Sequence, residues 1–298
     1  MTRLLRSTSA KVAVAILALV AVLGLFGPLL APHDPLAQDT SRILQGPSAT
    51  SWLGTDALGR DVLSRLLEGA PISLTAALLA VVVGLVLGVV PGLLSVHLGR
   101  VFEWTTLRLM DTLIALPFLV FAIAMTALLG NGVTQAMVAV GILISPGFYR
   151  VTRAAALSVA QSQYVEAAVL VGASTGWILR RHVWRHVLPA VAVTTASMTG
   201  AALVIVSSLT FLGIGVVPPT PTWGGLLATD LQYLYARPWG PVVPGLLIVL
   251  TVWALNALAD ALRDASSAKA RRDDAASEAD ETTPAPAPTP ALVPEGAR

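Results

Sequence analysis

A chain of 298 residues that is 55% hydrophobic and 12% charged, with a mean hydropathy of +0.75, is too apolar for a soluble globular protein, so lipid must be its main solvent. The net charge of +2 and isoelectric point near 9.3 do not indicate nucleic acid as a partner, because the basic residues are spread among connecting loops and form no single stripe. Cysteine is absent, which excludes disulfides, thiolate metal sites, cysteine nucleophiles and a lipid-anchored cysteine, and leaves the redox compartment open.

At the start, Arg3, Arg6 and Lys11 precede an unbroken apolar run over 12–31. A secretory signal or a first transmembrane helix would both begin this way. The run of ~20 residues at ~1.5 Å each matches a ~30 Å hydrocarbon core. No A-x-A-like cleavage site precedes the Pro32-His33-Asp34-Pro35 break, so a helix is expected. Residues 32–72 form a connection that is long for a helix–helix loop. Within it Leu58, Val62, Leu66 and Pro71 are interspersed with Asp56, Arg60, Asp61, Arg65 and Glu68, an amphipathic pattern suited to a membrane interface. Asp61 and Arg65 stand as an i,i+4 pair.

A second span is expected over 69–96, which carries no charged residue. Gly84, Gly88 and Gly92 recur every fourth position, which puts them on one helix face where a neighbour can approach closely; Pro91 adds a kink. The uncharged stretch 112–149 is too long for one span and predicts a hairpin turning at Gly130-Asn131-Gly132, with spans over 113–129 and 133–148. A fifth span is expected over 188–212 and a sixth over 241–258, separated by a loop rich in Pro, Gly and Trp. The tail over 266–298 has the composition of a disordered, Pro/Ala-rich segment. No internal repeat of the kind found in many secondary transporters is visible.

Basic residues flanking spans stay in the cytoplasm. Threading about six spans places the N-terminus, Arg100 and Arg108, the group Arg150, Arg153, Arg180, Arg181 and Arg185, and the arginines of 263–272 on one side, with Arg42, Arg60, Arg65 and Arg237 opposite. Both termini are therefore expected in the cytoplasm.

Motifs for chemistry are missing. No G-x-x-x-x-G-K-[ST] loop exists, and Lys11 and Lys269 are the only lysines, so the chain cannot itself build a P-loop ATPase and any ATP must be handled by another subunit. No G-x-S-x-G or H-E-x-x-H pattern occurs. His182 and His186 share a helix face, but Arg180, Arg181 and Arg185 surround them and repel a cation, so no metal is expected. The span centres hold essentially no ionisable group of the kind ion-coupled carriers use. The fifth span carries Thr195, Thr199, Ser207 and Ser208, among other hydroxyls, which either line a polar passage or bond back to their own helix.

The segment YVEAAVLVGASTGWILRRHVWRHVLPA over 164–190 predicts two short amphipathic surface helices: one ended by Gly172, the next capped by Ser174 and carrying Trp177 and Trp184. Glu166-Ala167-Ala168, then Gly172, then His186-Val187-Leu188-Pro189 resemble the EAA signature of the permease subunits of bacterial ABC importers, although Ala190 stands where that family often has Asn. The resemblance implies that Glu166, Ala167, Ala168, Gly172, Trp177, His186, Leu188 and Pro189 belong to a coupling loop, over about 156–188, docked on an ATPase.

Three further segments resemble the dipeptide, oligopeptide and nickel permeases of the second-subunit type: WLGTDALGRDVLSRLLEGAPISL over 52–74, SLTFLGIGVVPPTPTWGGLLATD over 208–230 and PGLLIVLTVWALNALADALRDA over 244–265. Ala259 and Ala261 replace usual glycines there. The resemblance implies an all-α type I importer permease in the bacterial inner membrane, with one N-terminal helix, a five-helix core over 73–265 and no bond-breaking site. It also implies a homologous second permease, two ATPases that hold the ATP and Mg, and an extracytoplasmic binding protein. The outer connection, through Asp56, Arg60 and Asp61, either braces the fold or meets that binding protein.

Overall fold

A computed structural model of the chain describes residues 8–281, and the side chains at 164, 169, 175, 182 and 269–281 lie outside that description. Apart from one isolated bridge between Thr55 and Asp61, the regular elements within it are helices. α1 (Thr8–Leu30) is followed by the outer connection and α2 (Val62–Leu94). Next come α3 (Arg100–Ala115), α4 (Phe118–Leu129), α5 (Val133–Ala160) and the short α6 (Gln163–Leu170). α7 (Thr175–Ile178), α8 (Trp184–Phe211), α9 (Trp223–Gln232) and α10 (Val242–Glu281) complete the chain.

Among the described residues four helices are long and apolar enough to cross a membrane, α1, α2, α8 and Val242–Ala268 of α10, and a fifth is added if α3 and α4 count as one bent span. α5, with 28 residues, has the length to cross at ~1.5 Å per residue, but Gln135, Ser145, Pro146 and two glycines dilute its apolar content.

The third span differs from the straight helix expected over 113–129. α3 and α4 meet at 101°, because Pro117 offers no N–H and pushes Leu116 out of the helical region, to φ −76° and ψ 131°. α4 alone, at 12 residues, reaches only ~18 Å of the ~30 Å core.

The three spaced glycines of α2 face α5 as expected. A methyl group on Gly84 would lie 3.1 Å from the Gly141 carbonyl oxygen, one on Gly88 2.4 Å from that of Ser145, and one on Gly92 3.1 Å from that of Tyr149. Both helices advance together through these contacts, so they run parallel, and α3–α4 must carry the chain back between them. α1 runs antiparallel to α2, with Gly24 against Leu74 and Gly27 against the Leu67 carbonyl. Without a hydrophobic drive between helices in lipid, such close backbone approach supplies dispersion contact. Around this seam Met137, Val140, Phe148 and Tyr149 of α5 are fully buried with Leu203 and Val206 of α8, whereas Leu25 and Leu29 of α1 are 74% and 82% exposed, as lipid-facing residues should be.

At one end of the bundle the outer connection and the segment between α8 and α10 form a cap. The opposite end holds α6, α7 and the arginine cluster. α10 runs on to Glu281, past the boundary at 266 where composition ended it, and residues 282–298 of the expected disordered tail lie outside the described residues.

Candidate functional site

The polar end opposite the cap is built from α5 to α8. α6 is pinned by buried Val165, and the following helical stretch by buried Ile178, Val183 and Val187. Between them Val171 N–H donates to the Ala167 carbonyl (3.2 Å) and Ala173 N–H to that of Ala168 (3.0 Å). These bonds close the C-terminal turn of α6 only if Gly172 adopts a left-handed conformation, and its φ is +82°. A methyl group there would touch nothing within 4 Å, so the glycine serves handedness and not close approach. Ser174 caps the next helix as expected, its Oγ accepting from Trp177 N–H at 3.4 Å.

That next helix is not a separate surface element. α7 passes through a wide π turn, Leu179–Val183, directly into α8. The expected second short helix and the start of the fifth span are thus one rod, with Pro189 inside it.

Anchoring from beneath leaves a projecting tip. Glu166 and Ala167 are exposed on α6, Ala168 is half-buried, and Trp177, His186, Leu188 and Pro189 are exposed along the rod. The residues singled out in sequence thus lie on both sides of the Gly172 turn, most of them exposed. It adds Leu170 and Val171, which are 84% and 86% exposed and which sequence reasoning passed over. Their signal was available: two large apolar residues immediately before a helix-ending glycine have no core-facing position to occupy. Beside the tip, Gly176, Trp177, Arg180, Arg181 and Arg185 line an electropositive cavity of about 670 Å³. The side chain of His182 lies outside the described residues, so the His182/His186 pairing has no geometry here.

Ionic contacts tie this end together. Arg153 of α5 pairs with Glu103 of α3, Arg150 with Asp111 at 3.0 Å, and the Tyr149 hydroxyl lies 2.9 Å from Thr106 Oγ1. Nearby, burial holds the His97 imidazole below its ordinary pKa.

The cap uses its charges differently from the expected pattern. Asp61 makes no pair with Arg65; it is the N-cap of α2, and its Oδ2 accepts from Ser64 N–H at 2.9 Å and from Ser64 Oγ at 2.7 Å. Asp56 Oδ2 instead lies 2.7 Å from Arg60 Nε and 3.4 Å from Arg65 Nη1. Asp56, Arg60 and Asp61 are all buried. They are not a solvated interface stripe, and their side chains brace the connection from within, because a charged group leaves water only when it is paired.

Arg237, 2% exposed, donates to the carbonyls of Thr55 (2.8 Å) and Leu53 (3.1 Å) and sits 3.8 Å from Asp230. Burial pushes the Asp230 carboxyl above the ordinary carboxylate range against the pull of Arg237. Trp223 locks α9 onto α2, with its indole Nε1–H donating to the Leu66 carbonyl at 3.2 Å and its backbone N–H to Ser73 Oγ at 3.0 Å.

The hydroxyls of α8 divide. Thr195 Oγ1 donates to the Val191 carbonyl, Thr199 Oγ1 to Thr195 and Ser208 Oγ to Val204, which is back-bonding to their own helix. Ser207 is buried and its Oγ makes no hydrogen bond.

Known proteins resemble this chain in sequence and in fold. Residues 80–272 match the family described as "Binding-protein-dependent transport system inner membrane component", and residues 1–47 match the "N-terminal TM domain of oligopeptide transport permease C". A di/tripeptide transport system permease protein of Pseudomonas aeruginosa is 38% identical over 257 residues, covering 84% of this chain and 85% of its own. A glutathione transport system permease protein of Pectobacterium atrosepticum is 36% identical over 268 residues, covering 90% and 89%. A probable D,D-dipeptide transport system permease protein of Escherichia coli is 36% identical over 255 residues, covering 86% of each. In fold, the MetNI methionine ABC transporter in an inward-facing conformation superposes with a TM-score of 0.55 at 18% identity, over 67% of this chain and 95% of that one. Both the N-terminal segment and the helical core match permease family models, and the chain belongs to the multi-pass inner membrane permeases of binding-protein-dependent transport systems.

Proposed function

We propose that the chain is one of two homologous permeases in an ATP-binding cassette importer for peptides. It forms half of the pathway for solute delivered by an extracytoplasmic binding protein. The α6–α7 tip faces the cytoplasm, where one of two ATPase subunits docks on it, and the cap faces outward. The chain has no catalytic residue of its own; ATP and Mg are held by the ATPases, and their closure moves the tip and, through the continuous α7–α8 rod, the membrane helices.

The single observation that carries this reading is the tip itself. Leu170 and Val171 stand almost fully exposed at the end of α6, a helix anchored by buried Val165, which supports reading the tip as a surface that a partner covers. The arginine distribution supports the orientation, and the names of the relatives support peptide as the solute class.

The test is uptake in proteoliposomes built from this chain, its partner permease, both ATPases and the binding protein. ATP-dependent accumulation of a di- or tripeptide that vanishes when this chain is omitted is expected. Accumulation driven by an ion gradient with this chain alone would overturn the proposal.

A further inference from the structure

Two hollows meet beside the tip. The electropositive cavity of about 670 Å³ is lined by Gly176, Trp177, Arg180, Arg181 and Arg185. Gly176 and Arg180 also line an apolar groove of about 290 Å³, whose other walls include Val90, Leu93 and Leu94 at the end of α2 and Trp184 at the start of α8. All three arginines are exposed, and among the described residues no Asp or Glu lines either hollow. Of the acidic groups at this end, Glu103 is engaged by Arg153 and Asp111 by Arg108 and Arg150, and Glu166 lines neither hollow.

The groove lies where a span ends. From Val90 the exposed face of α2 continues along Val86, Val82 and Leu78, four residues apart and, with Val90, 49–55% exposed. This apolar stripe runs ~18 Å at ~1.5 Å per residue, about one leaflet of a ~30 Å hydrocarbon core. A tryptophan in the wall of each hollow suits the boundary between hydrocarbon and headgroups. A soluble protein would meet the arginines but not a stripe that continues into the membrane, and a free phosphate would leave the stripe bare. An amphiphile with an anionic head and an aliphatic chain uses both. Guanidinium forks match phosphate oxygens, and basic pockets at the ends of membrane helices take anionic headgroups.

We infer that this end of the chain holds one anionic phospholipid of the adjoining leaflet, with its phosphate among Arg180, Arg181 and Arg185 and an acyl chain along Val90, Val86, Val82 and Leu78. The inference goes beyond the transport reading; only the naming of that leaflet as cytoplasmic rests on the orientation proposed above.

Native mass spectrometry of the complete importer in detergent tests it, with phosphatidylglycerol or phosphatidylcholine of identical chains added at equal concentration. The importer should retain several-fold more phosphatidylglycerol. Replacing the three arginines together, Arg180→Gln, Arg181→Gln and Arg185→Gln, should remove one retained phosphatidylglycerol per complex. Val90→Trp, which fills the groove and leaves the arginines in place, should remove the same one. Glycerophosphoglycerol, the headgroup without chains, should not displace it at millimolar concentration.

Absence of any preference for phosphatidylglycerol in the unmodified importer, where the second permease and both ATPases are in place, overturns the proposal and requires no variant to fold. Loss of the lipid with the arginines but not with Val90→Trp, or its displacement by the headgroup alone, assigns the arginines to a free phosphate and overturns it too. So does an arginine variant that sheds an ATPase and keeps its lipid, since the arginines would then be a protein contact. Because no uptake is measured, loss of ATP-driven transport would strike the transport reading and leave this result standing.

Discussion

At the residue scale the two ends of the molecule use charge and glycine in opposite ways. In the cap, burial decides everything: Arg237 is inside, bridging two backbone carbonyls, and Asp61 caps a helix where spacing alone suggested a surface ion pair with Arg65. Sequence spacing reports which residues share a helix face, but Asp61 lies just outside the helix, so the i,i+4 rule did not apply to it. At the tip, Gly172 was readable, since a glycine after an amphipathic turn ends a helix, and only its mechanism required coordinates. Because its φ is +82° in open space, replacement should depend on tolerance of the left-handed region and not on size. Gly172→Asn should retain most activity and Gly172→Val should cost roughly 1–2 kcal/mol of local strain, distorting the loop without unfolding the bundle. In the reconstituted importer, Gly172→Val and Glu166→Lys should lower uptake and substrate-stimulated ATP hydrolysis together while assembly is unchanged. Normal rates for both at normal assembly would reduce the tip to a connector.

Elements were legible where composition and geometry agree. α1, α2 and α10 declared themselves by apolar runs of membrane length, and the glycine spacing of α2 named the face that meets α5. Hydropathy could not see two breaks in that rule. It registers how apolar a stretch is, not whether its backbone bonds continue, so Pro117 divided the third span and, conversely, the arginine-rich 179–185 stretch continued as helix into α8. The glycine seam gives an ordered prediction. A methyl at position 88 would meet a carbonyl oxygen at 2.4 Å and Phe148 Cβ at 2.5 Å, whereas one at position 92 meets its nearest atoms at 3.1 Å. Gly88→Ala should therefore destabilise by about 1–3 kcal/mol and Gly92→Ala by clearly less, as read from thermal unfolding of the purified chain with its partners. Equal effects would mean that α2 and α5 do not approach as described.

On the scale of the whole molecule, the chain is a membrane device with two differently finished ends. The cap is internally paired and closed by Arg237 and Trp223, so it holds its shape without a partner. The tip is anchored from below and leaves its largest apolar residues uncovered. That asymmetry was only partly legible, because charge counts distinguished the two sides but could not tell buried arginines from exposed ones.

The central claim is that force from ATP enters at the tip and that the tip lies in the cytoplasm. The chain contains no cysteine, so a single one at Val171→Cys can be cross-linked without background. In the assembled importer this position should form a covalent adduct with the ATPase subunit in high yield, and the yield should change between nucleotide-free and ATP-bound states. Absence of any ATPase adduct from an importer that still transports, or labelling of the same cysteine from outside intact cells, would contradict the account.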